Sequence, residues 1–163
     1  MPFGSGFRGH MAADTQQLPR FDGAMNDTRP ALTVADVMTP DPILLSATDG
    51  LDAAAKMLEE SEISGAPVVD NTGQLVGVLS ETDLVHARAT ELLWNHWAEL
   101  QVRHLMHSPA ITADPAMGIA EAAELMEEAR VHRLVIVGEE QVPIGVLSTG
   151  DLVRAVLGER ANR

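Results

Sequence analysis

The sequence predicts an α/β (α+β) fold built from two similar halves, each running strand, helix, strand, strand, helix (β-α-β-β-α). Three observations predict it. Residues 34–87 align without a gap on residues 102–155, at an offset of 68. Each copy contains a stretch with helical apolar spacing, followed by two short apolar stretches typical of strands. A repeat of this length that occurs twice indicates two half-domains packed on each other.

The first strand and helix of each copy follow a Val-x-x-Val/Leu-Met opening. The strands are predicted at residues 43–45 and 111–113. In the helix that follows, apolar residues recur at i, i+3, i+4 and i+7, which is the spacing of one buried helix face. These residues are Leu51, Ala54, Ala55 and Leu58 in the first copy and Ile119, Ala122, Ala123 and Met126 in the second.

The remaining strands and the closing helix come next in each copy. Strands are predicted at residues 66–69 and 75–79 in the first copy, and at 134–137 and 144–147 in the second. The first pair flanks an Asp-Asn-Thr-Gly turn, whose composition permits a positive φ at Gly73. Each copy then continues with Ser-x-x-Asp-Leu-Val, which leads into the closing helix.

Three segments complete the predicted organisation. Residues 1–33 lack a helix or strand period, so we expect a flexible N-terminal arm. Residues 34–101 form the first motif, whose closing helix is predicted to extend to residue 101, and residues 102–163 form the second motif. The extension carries Trp94 and Trp97, which we expect to pack in the core or in a dimer interface. The alternative is a nucleotide or heme platform.

The charge balance limits the classes of partner. The 163 residues include 24 acidic and 11 basic side chains, a net charge of −13. We therefore expect no binding to nucleic acid and no binding to acidic membranes, because both depend on lysine and arginine. There is no cysteine, and no apolar run approaches the ~18 residues of a membrane span. The expected compartment is the cytoplasm.

The clearest chemical signal is Gly-Val-Leu-Ser-x-x-Asp, at residues 77–83 and again at 145–151. The free amides of a helix start favour an anion, and a hydroxyl there can join them as a phosphate ligand. The carboxylate can accept the hydroxyls of a ribose. The alternative is a capping box, in which the same side chains satisfy amides of the helix start. A capping box does not require the glycine, which would let a ligand approach the backbone.

These residues resemble the paired CBS motifs of a Bateman module, over residues 34–157. The resemblance rests on Asp-Val-Met-Thr at 36–39, on Ile-Ser-Gly-Ala-Pro-Val-Val-Asp at 63–70 and on residues 77–84. It implies tandem CBS motifs whose two pseudo-symmetric halves pack through their sheets, with two clefts for adenosine-containing ligands. AMP is the expected ligand, and ADP, ATP, S-adenosylmethionine and NAD are alternatives. No further cofactor is expected.

The resemblance also implies which residues line each cleft, because a cleft takes its ribose aspartate from one motif and its adenine contacts from the other. The first site is then formed by Thr39, Ile43, Leu44, Ala66, Pro67, Arg133, Ser148 and Asp151. The second site is formed by Ser80, Thr82, Asp83, Ile111, Thr112, His132, Leu134 and Val135.

The two copies differ at the positions expected to hold phosphate. Thr82 precedes the aspartate of the first copy, whereas Gly150 precedes that of the second. Residues 131–134, Val-His-Arg-Leu, resemble the segment that supplies phosphate-binding cations in the γ subunit of the energy-sensing kinase. We therefore expect second-half side chains to hold a phosphate. The alternative for His132 and Arg133 is a structural pairing with nearby carboxylates.

The charges of the two copies differ in the same direction. Residues 34–87 contain ten acidic residues and one lysine, a net charge of −9, whereas residues 102–155 contain eight acidic residues and four arginines, a net charge of −4. The strongly negative chain should disfavour highly charged ligands relative to a monophosphate or S-adenosylmethionine.

The sequence offers no sign of catalysis or of a metal site. The sequence shows no recognisable arrangement of a nucleophile and a base, so we expect that the protein is not an enzyme. His86, His104 and His107 lack a second ligand at metal spacing. The predicted function is a regulatory sensor that binds an adenosine nucleotide and signals through a homodimer or a regulated partner protein. The alternative is a nucleotide-independent interaction module that regulates a partner enzyme.

Overall fold

The computed structural model describes residues 31–90 and 96–158, and its elements follow the predicted order. The first copy contains α1 (Val34–Val37), β1 (Thr39–Pro40), β2 (Leu45–Ser46), α2 (Leu51–Glu60), β3 (Gly65–Val69), β4 (Leu75–Ser80) and α3 (Glu81–Ala89). After a 3₁₀ turn at Trp97–Glu99, the second copy contains α4 (Val102–Leu105), β5 (Thr112–Ala113), α5 (Ile119–Ala129), β6 (Arg133–Val137), β7 (Pro143–Ser148) and α6 (Thr149–Val156), with a 3₁₀ turn at Glu139–Gln141. The mixed α/β architecture is confirmed.

The long helix of each copy forms where the apolar spacing predicts it. Leu51, Ala54 and Leu58 of α2 are at most 1% exposed. Ala122 and Met126 are buried at the matching positions of α5. Each helix lays this stripe on its own sheet, which is the usual arrangement for an amphipathic helix in a layered domain.

The strands form two sheets with an exchange between the copies. The first sheet has the order β2-β3-β4, and the second has the order β1-β7-β6-β5. Strand β1 thus belongs to the first copy but pairs antiparallel with β7 of the second, Thr39 opposite Val146. The related positions of the other sheet, Val78 and His107, form an isolated antiparallel bridge. Each sheet is therefore extended by the segment that opens the other copy.

The short opening helices are exchanged in the same way. Val34 and Val37 of α1 lie in the apolar core of the second half, with Leu134 and Ile136. Val102 of α4 lies in the core of the first half. The Val34 amide donates to the Met117 carbonyl at 2.8 Å, and the Val102 amide donates to the Asp49 carbonyl at 2.9 Å. The boundary at residue 101 separates the repeats along the chain, but it does not separate two packing units.

The glycine of the Gly-Val-Leu motif makes room for this exchange. A Cβ at Gly77 would lie 2.6 Å from the His107 carbonyl oxygen and 2.9 Å from Met106 Sδ. A Cβ at Gly145 would lie 3.2 Å from the Thr39 carbonyl oxygen. The opening segment of the other copy therefore occupies the space that the sequence suggested for a ligand. Close backbone packing is what the glycine serves in both copies.

The predicted extension of α3 to residue 101 is interrupted. The helix ends at Ala89, and Thr90 is extended with φ −89° and ψ 114°. The Thr90 hydroxyl donates to the His86 carbonyl at 3.1 Å, which satisfies a carbonyl of the last turn. Residues 91–95, including Trp94, lie outside the described residues, as does most of the predicted arm, residues 1–30.

Trp97 fills the first core from its own turn after this break. It is 9% exposed and packs in the first core. Its indole N–H donates to Asp52 Oδ1 at 2.7 Å, and the Arg88 guanidinium lies 4.8 Å from its ring centre. The prediction of core packing is confirmed for Trp97.

Candidate functional site

Both Ser-x-x-Asp sequences form capping boxes at the start of a closing helix. Asp83 Oδ2 accepts from the Ser80 amide at 2.8 Å and from its hydroxyl at 2.6 Å. Asp151 Oδ2 accepts from the Ser148 amide and hydroxyl, both at 2.6 Å. Each carboxylate therefore commits one oxygen to the cap. The other oxygen, Oδ1, determines what else each aspartate can bind.

A cleft of about 620 Å³ opens beside Asp83. The first copy contributes Ser64, Val78, Ser80, Thr82 and Asp83 to its lining. The second copy contributes His107, Pro109, Ala110, Ile111, Arg130, Val131, His132 and Arg133. Hydroxyl and carboxylate groups of one motif thus face cations of the other across one cavity, and five predicted second-site residues share it: Ser80, Thr82, Asp83, Ile111 and His132.

The cations of this cleft come from the short loop between α5 and β6. Arg130 is the C-cap of α5 and adopts a left-handed conformation, with φ 54°, so the chain turns sharply there. The turn leads Val131, His132 and Arg133 along the cleft. The first copy has Glu62, Ser64 and Gly65 at the positions related by the offset of 68. One copy therefore supplies all the basic side chains.

Arg133 reaches across from the second half to the first. Its Nη2 donates to Ser64 Oγ at 2.7 Å, and its Nη1 packs so closely on Gly65 that a Cβ there would clash with it. Burial lowers the pKa of the Arg133 guanidinium, while the carboxylates of Glu81 and Asp83 act in the opposite direction. The sequence assigned Arg133 to the first site. The structure places it in the cleft of the second, because the side chain crosses the interface between the halves.

His107 is a cleft residue that the sequence reasoning missed. Its Nε2 lies 3.3 Å from Asp83 Oδ1, and its side chain is 75% exposed. The Asp83 side chain is 16% exposed. The imidazole comes from the exchanged opening segment, so its contact with Asp83 depends on a strand pairing between the copies. The related residue in the first copy is Thr39.

The aspartate of the other site has a different environment. Asp151 is 5% exposed, and its Oδ1 forms an ion pair with Nη2 of Arg154, one turn further along α6. Both carboxylate oxygens thus have partners within the same helix start. Thr39 lies on β1, beside the strand that ends at Ser148. Ile43 is 39% exposed, and Leu44 is half-buried.

Four of the predicted adenine contacts are buried inside the protein. Leu134 and Val135 of β6 are 0% and 1% exposed, and Ala66 of β3 is 1% exposed. Pro67 is also fully buried. Successive residues of a strand point to opposite faces, so both faces of these central strands are covered. Thr112 is half-buried on β5. Thr112, Leu134 and Val135 do not line the cleft beside Asp83.

Seven cleft residues are missing from the predicted second site: Ser64, Val78, His107, Pro109, Ala110, Arg130 and Val131. Val78 lies on β4, and the others lie in connections between elements or in the opening segment of the second copy. The offset of 68 relates Val78 and His107 to Val146 and Thr39, which pair between β7 and β1. This relation places His107 next to Asp83 only when the pairing of β1 with the other copy is known.

The described residues were compared with the requirements of a metal site and of a membrane span. Over residues 31–90 and 96–158, no three His, Asp or Glu side chains gather closely enough to hold a metal ion. Over the same residues, no helix has the length and apolar character needed to cross a membrane.

Comparison with known proteins agrees with the repeat. A family model described as "CBS domain" matches residues 34–90 and again residues 102–158. The chain belongs to the CBS domain family. The two matches confirm the tandem CBS motifs that the sequence resemblance implied, and they begin at the same residues, Val34 and Val102, as the two opening helices.

Individual CBS relatives cover most of this chain. The CBS domain-containing protein CBSX2, chloroplastic, of Arabidopsis thaliana is 30% identical over 151 residues, with 77% of this chain and 63% of CBSX2 covered. The 5'-AMP-activated protein kinase subunit gamma-3 of Sus scrofa is 31% identical over 109 residues, with 64% of this chain and 21% of the subunit covered. This chain therefore spans less than two thirds of either relative.

A solved CBS structure has the same fold. The crystal structure of CBSX2 in complex with AMP matches with a TM-score of 0.68 and 32% sequence identity, and the match covers 77% of this chain and 96% of that chain. The pair of CBS motifs packed as two α/β halves is thus a known arrangement.

Proposed function

We propose that this CBS pair is a regulatory module that binds an adenosine nucleotide in the cleft beside Asp83. The proposed nucleotide is AMP. The observation that carries the proposal is the division of polar groups across this cleft. Ser80, Thr82 and Asp83 lie on one wall, and Arg130, His132 and Arg133 lie on the other. A ribose and a phosphate need these two kinds of group at once.

The chemistry of the cleft suits a nucleoside monophosphate. Asp83 Oδ1 is the acceptor for a ribose hydroxyl, in exchange for its contact with His107. The guanidinium of Arg130 and the side chains of His132 and Arg133 supply charge-assisted hydrogen bonds to a phosphate. The relative CBSX2 was crystallised with AMP, which supports the same ligand class here. ADP, ATP, S-adenosylmethionine and NAD are the alternatives.

The proposal is tested by isothermal titration of the full chain with AMP and with each alternative. Asp83→Asn should weaken AMP binding by about tenfold or more, because it removes a charged acceptor. Asp41→Asn is the matched control, since Asp41 is exposed and lies outside the cleft. Unchanged AMP binding by Asp83→Asn, or no binding of any of these ligands at millimolar concentration, would refute the proposal.

The phosphate contact has its own control. Arg130→Gln should weaken AMP binding by about tenfold, because the variant loses a hydrogen bond to the charged phosphate. Adenosine has no phosphate, so its binding should stay nearly unchanged. Arg103→Gln removes an exposed arginine outside the cleft and should affect neither ligand. An equal loss for AMP and adenosine would show that Arg130 does not contact the phosphate.

We further propose that the closing helices form a homodimer and that nucleotide binding changes this dimer contact. Val85 of α3 and Val153 of α6 are related by the repeat and are 65% and 54% exposed. Val156 and Leu157 continue the apolar surface and are 82% and 69% exposed. Exposed apolar side chains at related positions of two helices suit a two-fold contact with a second copy. If no AMP binds, the same surface supports the alternative, a nucleotide-independent interaction module acting on a regulated partner protein.

A further inference from the structure

We infer that Arg154 closes the Asp151 site to ribose, so that each chain binds one nucleotide, at Asp83. This inference rests on the proposed function, because it concerns how many of the two related sites fill. It follows from a comparison of the two aspartates, which have the same cap but different partners on the remaining oxygen.

The two Oδ1 atoms are held by groups of different kinds. Arg154, the partner of Asp151, belongs to the same helix and is always charged. His107, the partner of Asp83, comes from the opposite motif, is 75% exposed and lies 3.3 Å away. A ribose hydroxyl replaces an exposed imidazole at 3.3 Å more readily than a guanidinium held within the same helix start. The exchange is therefore unfavourable at Asp151.

Burial strengthens this difference. The Asp151 side chain is 5% exposed, compared with 16% for Asp83. The Arg154 side chain is 48% exposed, so water weakens the ion pair itself, but removing the guanidinium would leave the buried Asp151 carboxylate poorly solvated. A ligand at Asp151 would have to displace Arg154 and also compensate the carboxylate for the lost charge.

Gly150 lies beside the guanidinium of Arg154. Gly150 stands where the first copy has Thr82, and a Cβ at Gly150 would lie 3.8 Å from Arg154 Nη1 and 3.5 Å from Ser148 Oγ. The guanidinium thus lies over the bare backbone of Gly150. The first copy pairs Thr82 with His86, where the second pairs Gly150 with Arg154, so the two positions change together between the copies.

The pair of positions can be exchanged between the motifs. The double variant Gly150→Thr with Arg154→His gives the second motif the residues of the first. Gly150 does not have a positive φ, and an added Cβ has only ordinary contacts there, so the threonine should be accommodated. The reverse variant, Thr82→Gly with His86→Arg, gives the first motif the closing arginine.

Isothermal titration with AMP then measures the number of sites per chain. We expect one site in the unmodified chain, two in Gly150→Thr/Arg154→His, and at least a tenfold loss of affinity in Thr82→Gly/His86→Arg. Asp151→Asn should leave the affinity of the unmodified chain within about twofold, whereas Asp83→Asn should remove the single site. The single variant Arg154→Gln, which keeps Gly150, should also show a second, weaker site.

Three results would overturn the inference. The first is two AMP sites in the unmodified chain. The second is a single site that is lost in Asp151→Asn and kept in Asp83→Asn. The third is a second site in neither Arg154→Gln nor the double variant when circular dichroism shows both to be folded. The absence of AMP binding in every chain would instead refute the proposed function.

Discussion

At the scale of single residues, Gly77 and Gly145 have a packing role, whereas the sequence motif suggested a role in ligand approach. A glycine before a helix start invites the interpretation of close ligand approach. The atoms nearest to a Cβ at Gly77 are those of Met106 and His107. These atoms belong to the opening segment of the other copy. The glycine therefore controls the contact between the motifs, including the position of His107.

A serine at Gly77 should therefore destabilise the fold. Its Cβ would lie 2.6 Å from the His107 carbonyl oxygen, and overpacking of this kind costs about 1–3 kcal/mol. Gly50→Ser is the control, because a Cβ there meets no atom within 4 Å and φ is −71°. The free energy of unfolding in urea measures both. Equal stability of the two variants would show that the opening segment yields without cost.

At the scale of elements, the start of α3 combines a structural role with the binding role proposed for Asp83. Ser80 caps α3 through the Asp83 amide at 3.3 Å, while Asp83 caps the Ser80 amide in return. The same carboxylate presents Oδ1 to the cleft. The cap fixes Asp83 through Oδ2, so the capping role and the proposed binding role use different oxygens of one side chain.

Ser80→Ala should lower the free energy of unfolding by about 1 kcal/mol, the usual effect of losing an N-cap hydroxyl. It should do so with or without AMP. Ser61→Ala is the matched control, because Ser61 follows the end of α2 at a C-cap and alanine is acceptable there. Chemical denaturation of both variants measures the difference. A loss of stability that appears only with bound AMP would contradict the capping role.

The exchanged opening helices make a second prediction at this scale. Val34 is fully buried in the second core, and Val102 is fully buried in the first. Val34→Ala and Val102→Ala should each cost about 2 kcal/mol. Because each helix belongs to one repeat and packs in the other, both variants should retain one cooperative unfolding transition. Calorimetry that resolves two separate transitions would contradict the exchange.

At the scale of the whole molecule, the exposed apolar residues of the closing helices predict self-association. Val153→Asp with Val156→Asp should convert a dimer to a monomer in light scattering coupled to size exclusion, because charges would replace two exposed valines. Val142→Asp is the control, since Val142 is 39% exposed but lies outside these helices. A monomeric unmodified chain, or a dimer that survives the double variant, would contradict the proposed interface.

The sequence predicts the elements of this fold better than their partners. Apolar spacing places α2 and α5 because it depends on which residues are buried. It does not say that Val34 is buried against Leu134 rather than against its own repeat, since any apolar surface satisfies the same pattern. Arg133 lies in the cleft of the second site and not of the first for a similar reason. The direction of a long side chain depends on the space opposite, which here is provided by Gly65.

The exchange of α1 and α4 also has a consequence for the order in which the chain can fold during synthesis. The first core includes Val102, so the first repeat cannot complete its interior when its own last residue leaves the ribosome. Val34, made early, finds its carbonyl partner only when Met117 is added. We expect the nascent chain to remain protease-sensitive until both repeats are nearly complete, and the two halves to become resistant together.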